Sequence, residues 1–242
     1  MNQQEVVLEL KNVTLYLKNE LKLKNINIQV YKGKINLLLG RNGQGKTLLL
    51  NIAAMQNENF EGEILYKNQN IKENQDWKNI LFLPTDFSFP DFLKSYEFIR
   101  TYLNLFSTKA ISKYDIEKGF ENFEMKDKMF KYPNKFSSGE KRKLLFLLVN
   151  LIKPDVLLLD EPEANLDPYA RYQLYKRLNE LKKEGVAILL ASHVIDTNSE
   201  IIDHITILNN KEIVFSKEIN SPSESEKIYG DFNKGKYDKK IN

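Results

Sequence analysis

The chain has 242 residues, 42% of them apolar, with 36 basic and 33 acidic side chains, a formal net charge of +3 and no cysteine. That length supports one large α/β domain or two small ones, the near-even charge balance calls for no nucleic acid partner and none is expected, and the missing cysteines exclude a disulfide framework or a thiolate metal site. No apolar run reaches membrane-spanning length, and Met1 to Leu10 lacks the basic start and long apolar core of a signal peptide, so a soluble chain is expected that reaches a membrane only through a partner.

In chain order, residues 5–30 read as β-rich. Glu5 to Leu10 alternates weakly, Val13 to Leu17 follows, and Asn25 to Val30 alternates cleanly. Tyr31 to Lys34 is a turn into Ile35 to Leu39, an apolar run of the kind a buried strand makes. Gly40-Arg41-Asn42-Gly43-Gln44-Gly45-Lys46-Thr47 then fits the phosphate-loop pattern G-x-x-x-x-G-K-[ST] at every fixed position. Leu48 to Ala54 continues as a buried helix, so the motif has the strand, loop and helix it needs. Glycines let the backbone turn tightly and aim successive N–H groups at one anion. The helix N-terminus adds donors and partial positive charge. Lys46 reaches the terminal phosphates and the Thr47 hydroxyl serves Mg²⁺. This stretch predicts a nucleoside triphosphate site.

Gly62 to Tyr66 reads as a strand, and Asn79 to Leu83 as another that Pro84 ends. Residues 87–135 are rich in Phe, Tyr and Lys at helical spacing and read as a helical insertion with an aromatic core. Ser137 and Glu140 form a capping-box pattern at the start of a helix that runs through Lys141-Arg142-Lys143 to Ile152. Val156 to Leu159 is continuously apolar, as a parallel strand covered on both faces would be, with Asp160-Glu161 at its end. Asp160 there can hold Mg²⁺ through water, and Glu161 can take a proton from, or orient, an attacking water. Phosphoryl transfer needs mainly positioning and charge neutralisation, which these parts supply. Asp167-Pro168 opens a further helix that ends at Gly185. Val186 to Ala191 is a buried strand leading to Ser192-His193, and Asn209-Asn210-Lys211 is a hairpin turn between Ile205–Leu208 and Glu212–Phe215. Residues 218–242 are polar, a short helix and a loose tail.

Phe136-Ser137-Ser138-Gly139-Glu140 resembles the L-S-G-G-Q signature of ATP-binding cassette (ABC) ATPases. Glu161-Pro162-Glu163-Ala164-Asn165-Leu166-Asp167 resembles their E-P-x-x-x-L-D stretch, and His193 matches their switch histidine. The order and spacing of four motifs carry the resemblance, over residues 5–216. It implies an α/β P-loop NTPase core with a mainly parallel sheet, an N-terminal antiparallel β-subdomain and a helical insertion. The ATPase domain would span 1–217, with the helical subdomain at about 87–150 and a polar tail at 218–242. It implies ATP and Mg²⁺: Gly40, Arg41, Asn42, Gly43, Gln44, Gly45, Lys46, Thr47 and Leu48 on the phosphates, and Thr47 with Asp160 on the metal. Glu161 would be the catalytic base, and His193 would contact the γ-phosphate. Ser137, Ser138 and Gly139 would complete the ATP site of a second ABC ATPase subunit, identical or not. Tyr16 lies near where the family often stacks an aromatic on adenine, although by spacing from Gly33 the expected position falls nearer Leu17, and a β-core tyrosine is an equal reading.

Four positions depart from the family pattern. Thr85 stands where Leu83-Pro84-Thr85 should carry a glutamine, which puts metal geometry and coupling to a partner in question. Ser138 replaces a signature glycine, Glu140 a signature glutamine, and Lys211 a glycine of the late hairpin. The resemblance implies an ATP-hydrolysing subunit at the cytoplasmic face of a membrane, bound near Thr85 to Tyr96 to an integral membrane permease. The run Gly139 to Leu144 resembles that of many exporters. An importer ATPase, or a soluble ABC ATPase that energises an assembly machine, are the alternatives.

Overall fold

The computed structural model describes residues 4–74, 77–107, 110–193 and 199–238. The elements run β1 (Val6–Leu17), β2 (Glu20–Tyr31), β3 (Ile35–Leu39), α1 (Lys46–Ala53), β4 (Glu61–Tyr66), β5 (Gln69–Asn70), α2 (Ile71–Asn74), β6 (Ile80–Leu83), α3 (Ser95–Phe106) and α4 (Lys113–Asn122). They continue with α5 (Ser138–Ile152), β7 (Val156–Asp160), α6 (Pro168–Lys183), β8 (Ala187–Ser192), β9 (His204–Asn209), β10 (Glu212–Glu218) and α7 (Pro222–Asn233). One sheet is antiparallel, in the order β2-β1-β4-β5; the other has the order β10-β9-β3-β8-β7-β6. Within the second, β9, β3, β8, β7 and β6 are mutually parallel and only β10 runs against its neighbour.

The apolar runs become the central strands because each of their side chains has a core to enter. β3, β7 and β8 are buried along their whole length. Successive side chains on a strand point to opposite faces. Leu157 and Leu159 accordingly join Leu37, Leu39 and Leu190 in a core with Phe98, Leu147 and Leu178 of the helices. Leu158 joins Leu38 and Leu189 in a second core with Leu49 and Leu50 of α1 and with Leu8, Leu10 and Val30 of the antiparallel sheet. Helix α1, which carries the lysine and threonine of the phosphate loop, is thus packed between two sheets.

Two readings of the sequence change. Glu5–Leu10 and Val13–Leu17 are not separate strands but one strand, and β2 begins well before Asn25. Asn12 takes a left-handed φ of 52° and its N–H is satisfied by the Asn27 side-chain oxygen, 3.0 Å away, so the pairing shifts register without breaking. The tail is also less loose than expected. Ser221 caps α7, Pro222 opens it, and Ile228 and Phe232 are buried in the helix-side core. Beyond it Tyr237 meets Phe215, ring centroids 5.2 Å apart; residues 239–242 lie outside the described residues.

Because Leu158 is fully buried between α1 and both sheets, Leu158→Ala should lower unfolding stability by roughly 3 to 5 kcal/mol, measured by urea titration.

Candidate nucleotide site

Strand β3 ends at Leu39, and the chain leaves it as the glycine loop. Gly45 sits at the N-cap of α1 with φ 104°, and a Cβ there would come within 3.0 Å of the Leu23 side chain, so both backbone and space select glycine. Lys46 is only 5% exposed and folds back over the loop. Its Nζ donates to the Gly40 carbonyl at 2.8 Å and to that of Arg41 at 3.5 Å. The same ammonium lies 3.4 Å from Glu161 Oε1. A buried cation requires such neutralisation.

The next residue reaches the acidic strand. Thr47 Oγ1 donates to Asp160 Oδ2 at 2.7 Å. Asp160 is 3% exposed, and burial raises its carboxyl above the ordinary value of 3.8. Hydrogen bonds from Thr47 and Thr85 and the Lys46 charge oppose that rise, while the Glu161 charge adds to it. Glu161 itself has φ 44°, a conformation that side-chain-bearing residues adopt rarely, and its N–H is held by the Ala191 carbonyl at 2.9 Å. Its Oε1 lies 3.2 Å from His193 Nδ1, so the one carboxylate oxygen touches both the loop lysine and the histidine.

The expected residues divide in two. Gly40, Arg41, Lys46, Thr47, Asp160, Glu161 and His193 are joined by the contacts just given. Gln44 is tied through its side-chain oxygen to the Asn210 N–H at 2.8 Å, and Arg41 to Asp238 at 2.9 Å. Leu48 packs beside the core around α1, and Asn42 and Gly43 are exposed loop residues. The signature contacts a different part of the chain. Ser137 caps α5 in a full capping box with Glu140, and Ser138 Oγ donates to the Asn165 carbonyl at 3.2 Å. Gly139 has open space where a Cβ would be. Tyr16 is not a core residue: it is 52% exposed, while Leu15 is buried.

Thr85 stands where the family pattern has a glutamine. Its hydroxyl donates to the backbone carbonyl of Asp160 at 2.9 Å, which fixes the end of β7 directly. Lys211 adopts φ 72°, which explains why a glycine is the usual occupant of that turn. Sequence reasoning missed two buried polar residues, Glu163 and Ser192, and one partly buried arginine. Glu163 is 5% exposed and accepts a hydrogen bond from Ser192, which is fully buried. Arg142 lies near the start of α5 and holds a buried NH1 without a partner. Glu163 occupies a free position of the E-P-x-x-x-L-D pattern, so only its burial singles it out.

A mostly parallel sheet, a glycine loop wrapped around a buried lysine and an acid pair at a neighbouring strand end define a P-loop ATPase cassette. The ABC transporter family profile matches residues 23–164, more than half of the chain, and the chain belongs to that family. It is 29% identical over 197 residues to the putative ABC transporter ATP-binding protein of Mycoplasma pneumoniae, which covers 80% of this chain and 60% of that protein. It is 34% identical over 200 residues to ATP-binding cassette sub-family A member 10 of Homo sapiens, covering 79% of this chain and 13% of that protein. The chain thus spans less than two thirds of the length of either relative. A solved ATP-binding subunit of an ABC transporter superposes with a TM-score of 0.83 at 23% identity, covering 96% of this chain and all of that one.

The raised Asp160 carboxyl has a consequence for stability. A group that holds its proton more tightly folded than unfolded loses stability as pH rises from 3.8 through its folded value. Asp160→Asn, which still accepts from Thr47, should therefore raise the nucleotide-free Tm at neutral pH and flatten its dependence on pH, by calorimetry, while lowering ATP turnover.

Proposed function

We propose that this chain binds Mg²⁺-ATP at the loop Gly40–Leu48 and hydrolyses it with Glu161 as the base, as the engine of a membrane transporter. The observation that carries the reading is the Glu161 carboxylate held between Lys46 at 3.4 Å and His193 at 3.2 Å. The loop N–H groups and the α1 N-terminus receive the phosphates. Lys46 then turns from the Gly40 carbonyl and Glu161 to the terminal phosphate. That frees the Glu161 carboxylate to accept a proton from a water placed by the same residue. His193, beside Glu161, is in reach of the γ-phosphate. The donor set fits Mg²⁺: Thr47 and Asp160 offer hard oxygens 2.7 Å apart, and among the described residues no three His, Asp or Glu gather to hold a metal by themselves. Such a pair suits an ion that keeps its waters and takes its other ligands from the nucleotide. When bound, Mg²⁺ would neutralise charge on the β- and γ-phosphates.

The signature supports a second copy or a related ABC ATPase as partner. Ser137, Ser138 and Gly139 open a 15-residue helix, and their contacts within the chain are with the Asn165 loop, not the phosphate loop. The α5 N-terminus is a ready anion site for a nucleotide held by the other subunit. Tyr16, exposed, is available to stack on the base.

Among the described residues no helix is long and apolar enough to cross a membrane, so the permease would be another chain or another part of a longer one. A groove between β6 and α3, lined by Pro84, Phe87, Tyr102, Phe106 and Leu148, supports docking of a permease helix beside Thr85. Pressure there would pass through the Thr85 hydroxyl to Asp160. We place the chain at the cytoplasmic membrane face on this basis. Export rests on the Gly139–Leu144 run alone, whose Lys143 pairs with Glu124 at 3.1 Å within the fold; an importer ATPase is the alternative.

Glu161→Gln should cut phosphate release at least about 100-fold and yield an ATP-dependent dimer by size-exclusion chromatography. Unchanged turnover would remove Glu161 from its role. In a detergent pull-down of tagged Glu161→Gln with ATP, a stoichiometric polytopic membrane protein identified by mass spectrometry is expected. Soluble partners alone would point to an assembly machine instead.

A further inference from the structure

The segment after α7 comes back to the phosphate loop. Arg41 Nη2 lies 2.9 Å from Asp238 Oδ2, so the first variable residue of the loop is paired with a carboxylate from a distant part of the chain. The turn that delivers this carboxylate is closely tied. Gly235 N–H donates to the Phe232 carbonyl at 3.0 Å, Lys236 N–H to that of Asp231 at 3.1 Å, and Asp238 N–H to that of Gly235 at 3.0 Å. Gly235 has φ 74°, and a Cβ there would lie 2.8 Å from Asp238 Oδ2 and 3.9 Å from Arg41 Nη2, so the turn closes on the pair only with glycine in it. The turn is also held against the end of β9. Asn209, buried, donates through Nδ2 to the Tyr237 carbonyl at 2.9 Å, and the Tyr237 ring packs on Phe215. The next residue, Asn210, receives Gln44 of the phosphate loop on its N–H. One hairpin turn therefore touches the loop on one side and the C-terminal segment on the other. Ile228 and Phe232 anchor the helix that leads in. The segment is firmly seated, while its contact with the loop is one partly exposed ion pair, which is weak by itself.

We propose that Asp238 is an internal competitor of the nucleotide: it holds Arg41 when no triphosphate is bound and thereby lowers the affinity of the loop for ATP. Asp238 acts through Arg41 and is a positioning residue, not a catalytic one. The competition needs no direct contact between arginine and phosphate. A carboxylate paired with the guanidinium cancels the positive field that would draw an anion into the loop. Linkage is reciprocal, so a bound triphosphate must loosen the turn by the same factor by which the turn weakens binding. A weak pair on a firmly seated segment suits this role, since a strong pair would keep the nucleotide out. The inference rests on the reading that Gly40–Leu48 receives the phosphates of ATP.

The test is binding of a fluorescent, non-hydrolysable ATP analogue with Mg²⁺ to the full chain. Asp238→Asn keeps the shape and an acceptor oxygen and removes the charge. It should bind the analogue about two- to fivefold more tightly than wild type, the range that an exposed ion pair supports. A merely structural turn predicts the opposite sign, because loosening it would weaken binding. In an Arg41→Gln background the gain from Asp238→Asn should shrink to less than about 1.5-fold, since the two residues act as a pair. In wild type, saturation with the analogue should speed hydrogen exchange in peptides that cover residues 235–238, measured by mass spectrometry. Equal or weaker binding by Asp238→Asn, an undiminished gain in the Arg41→Gln background, or exchange that the analogue leaves unchanged or slows would each overturn the proposal. An analogue that does not bind wild type at all refutes the phosphate-loop reading and the competition with it. Binding to wild type with no gain in Asp238→Asn refutes the competition alone.

Discussion

The structure is arranged around one buried ammonium. Lys46 is 5% exposed in a chain with 36 basic residues, nearly all of which can keep their charge in water. A cation in that position requires acceptors, and it has the Gly40 carbonyl at 2.8 Å and the Glu161 carboxylate at 3.4 Å. The first comes from the loop's own closure and the second from a different strand. To hold the lysine, the loop must be glycine-rich enough to wrap it, α1 must be anchored, and the end of β7 must lie opposite. The packing of α1 between two sheets supplies the anchor: Leu49, Leu50 and Ile52 are fully buried on their way out of the loop.

Strand order supplies the rest. In the sequence β3-β8-β7 all three strands run parallel, so the loops that follow them emerge at one edge of the sheet. That edge collects the phosphate loop, the Asp160-Glu161 pair and the Ser192-His193 pair from stretches far apart in the chain. The ends are then locked to one another by the backbone: Glu161 N–H to Ala191, and Thr85 Oγ1 to the Asp160 carbonyl, both at 2.9 Å. The outlying hairpin joins the same edge through Gln44 and Asn210. Each lock binds one residue of the Asp160-Glu161 pair by its main chain and leaves its side chain free to exchange partners.

What was legible in the sequence is what is local. The glycine loop, the capping box at Ser137 and the acid at the end of an apolar strand are each written within a few residues, and each forms as read. The fully buried strands were legible because covering on both faces removes alternation. The joins between the strands of the N-terminal sheet were not. Polar Lys11-Asn12 reads as a break, and only the distant Asn27 makes it a bulge. The Thr85 substitution reads as a short reach toward a metal, and only the three-dimensional neighbour shows a backbone carbonyl within reach. Glu163 looks like an ordinary surface charge in the chain; its burial is set by tertiary packing around the loop after β7, which no local pattern encodes. The contact of Tyr237 with Phe215 and of Asp238 with Arg41 has the same origin.

The geometry of Glu161 ties these points together. Its backbone is held at φ 44° by a strand-to-strand hydrogen bond, and its carboxylate is occupied by Lys46 and His193. Lys46 cannot give the same bonds to a phosphate and to Glu161 at once. On the proposed reading, binding of a triphosphate means exchange: the anion would replace a carboxylate and carbonyls around the ammonium, and the carboxylate would be released where an attacking water is activated. Only a ligand with enough charge to displace an internal ion pair shifts that balance, because a ligand moves an equilibrium no further than its differential affinity for the two states.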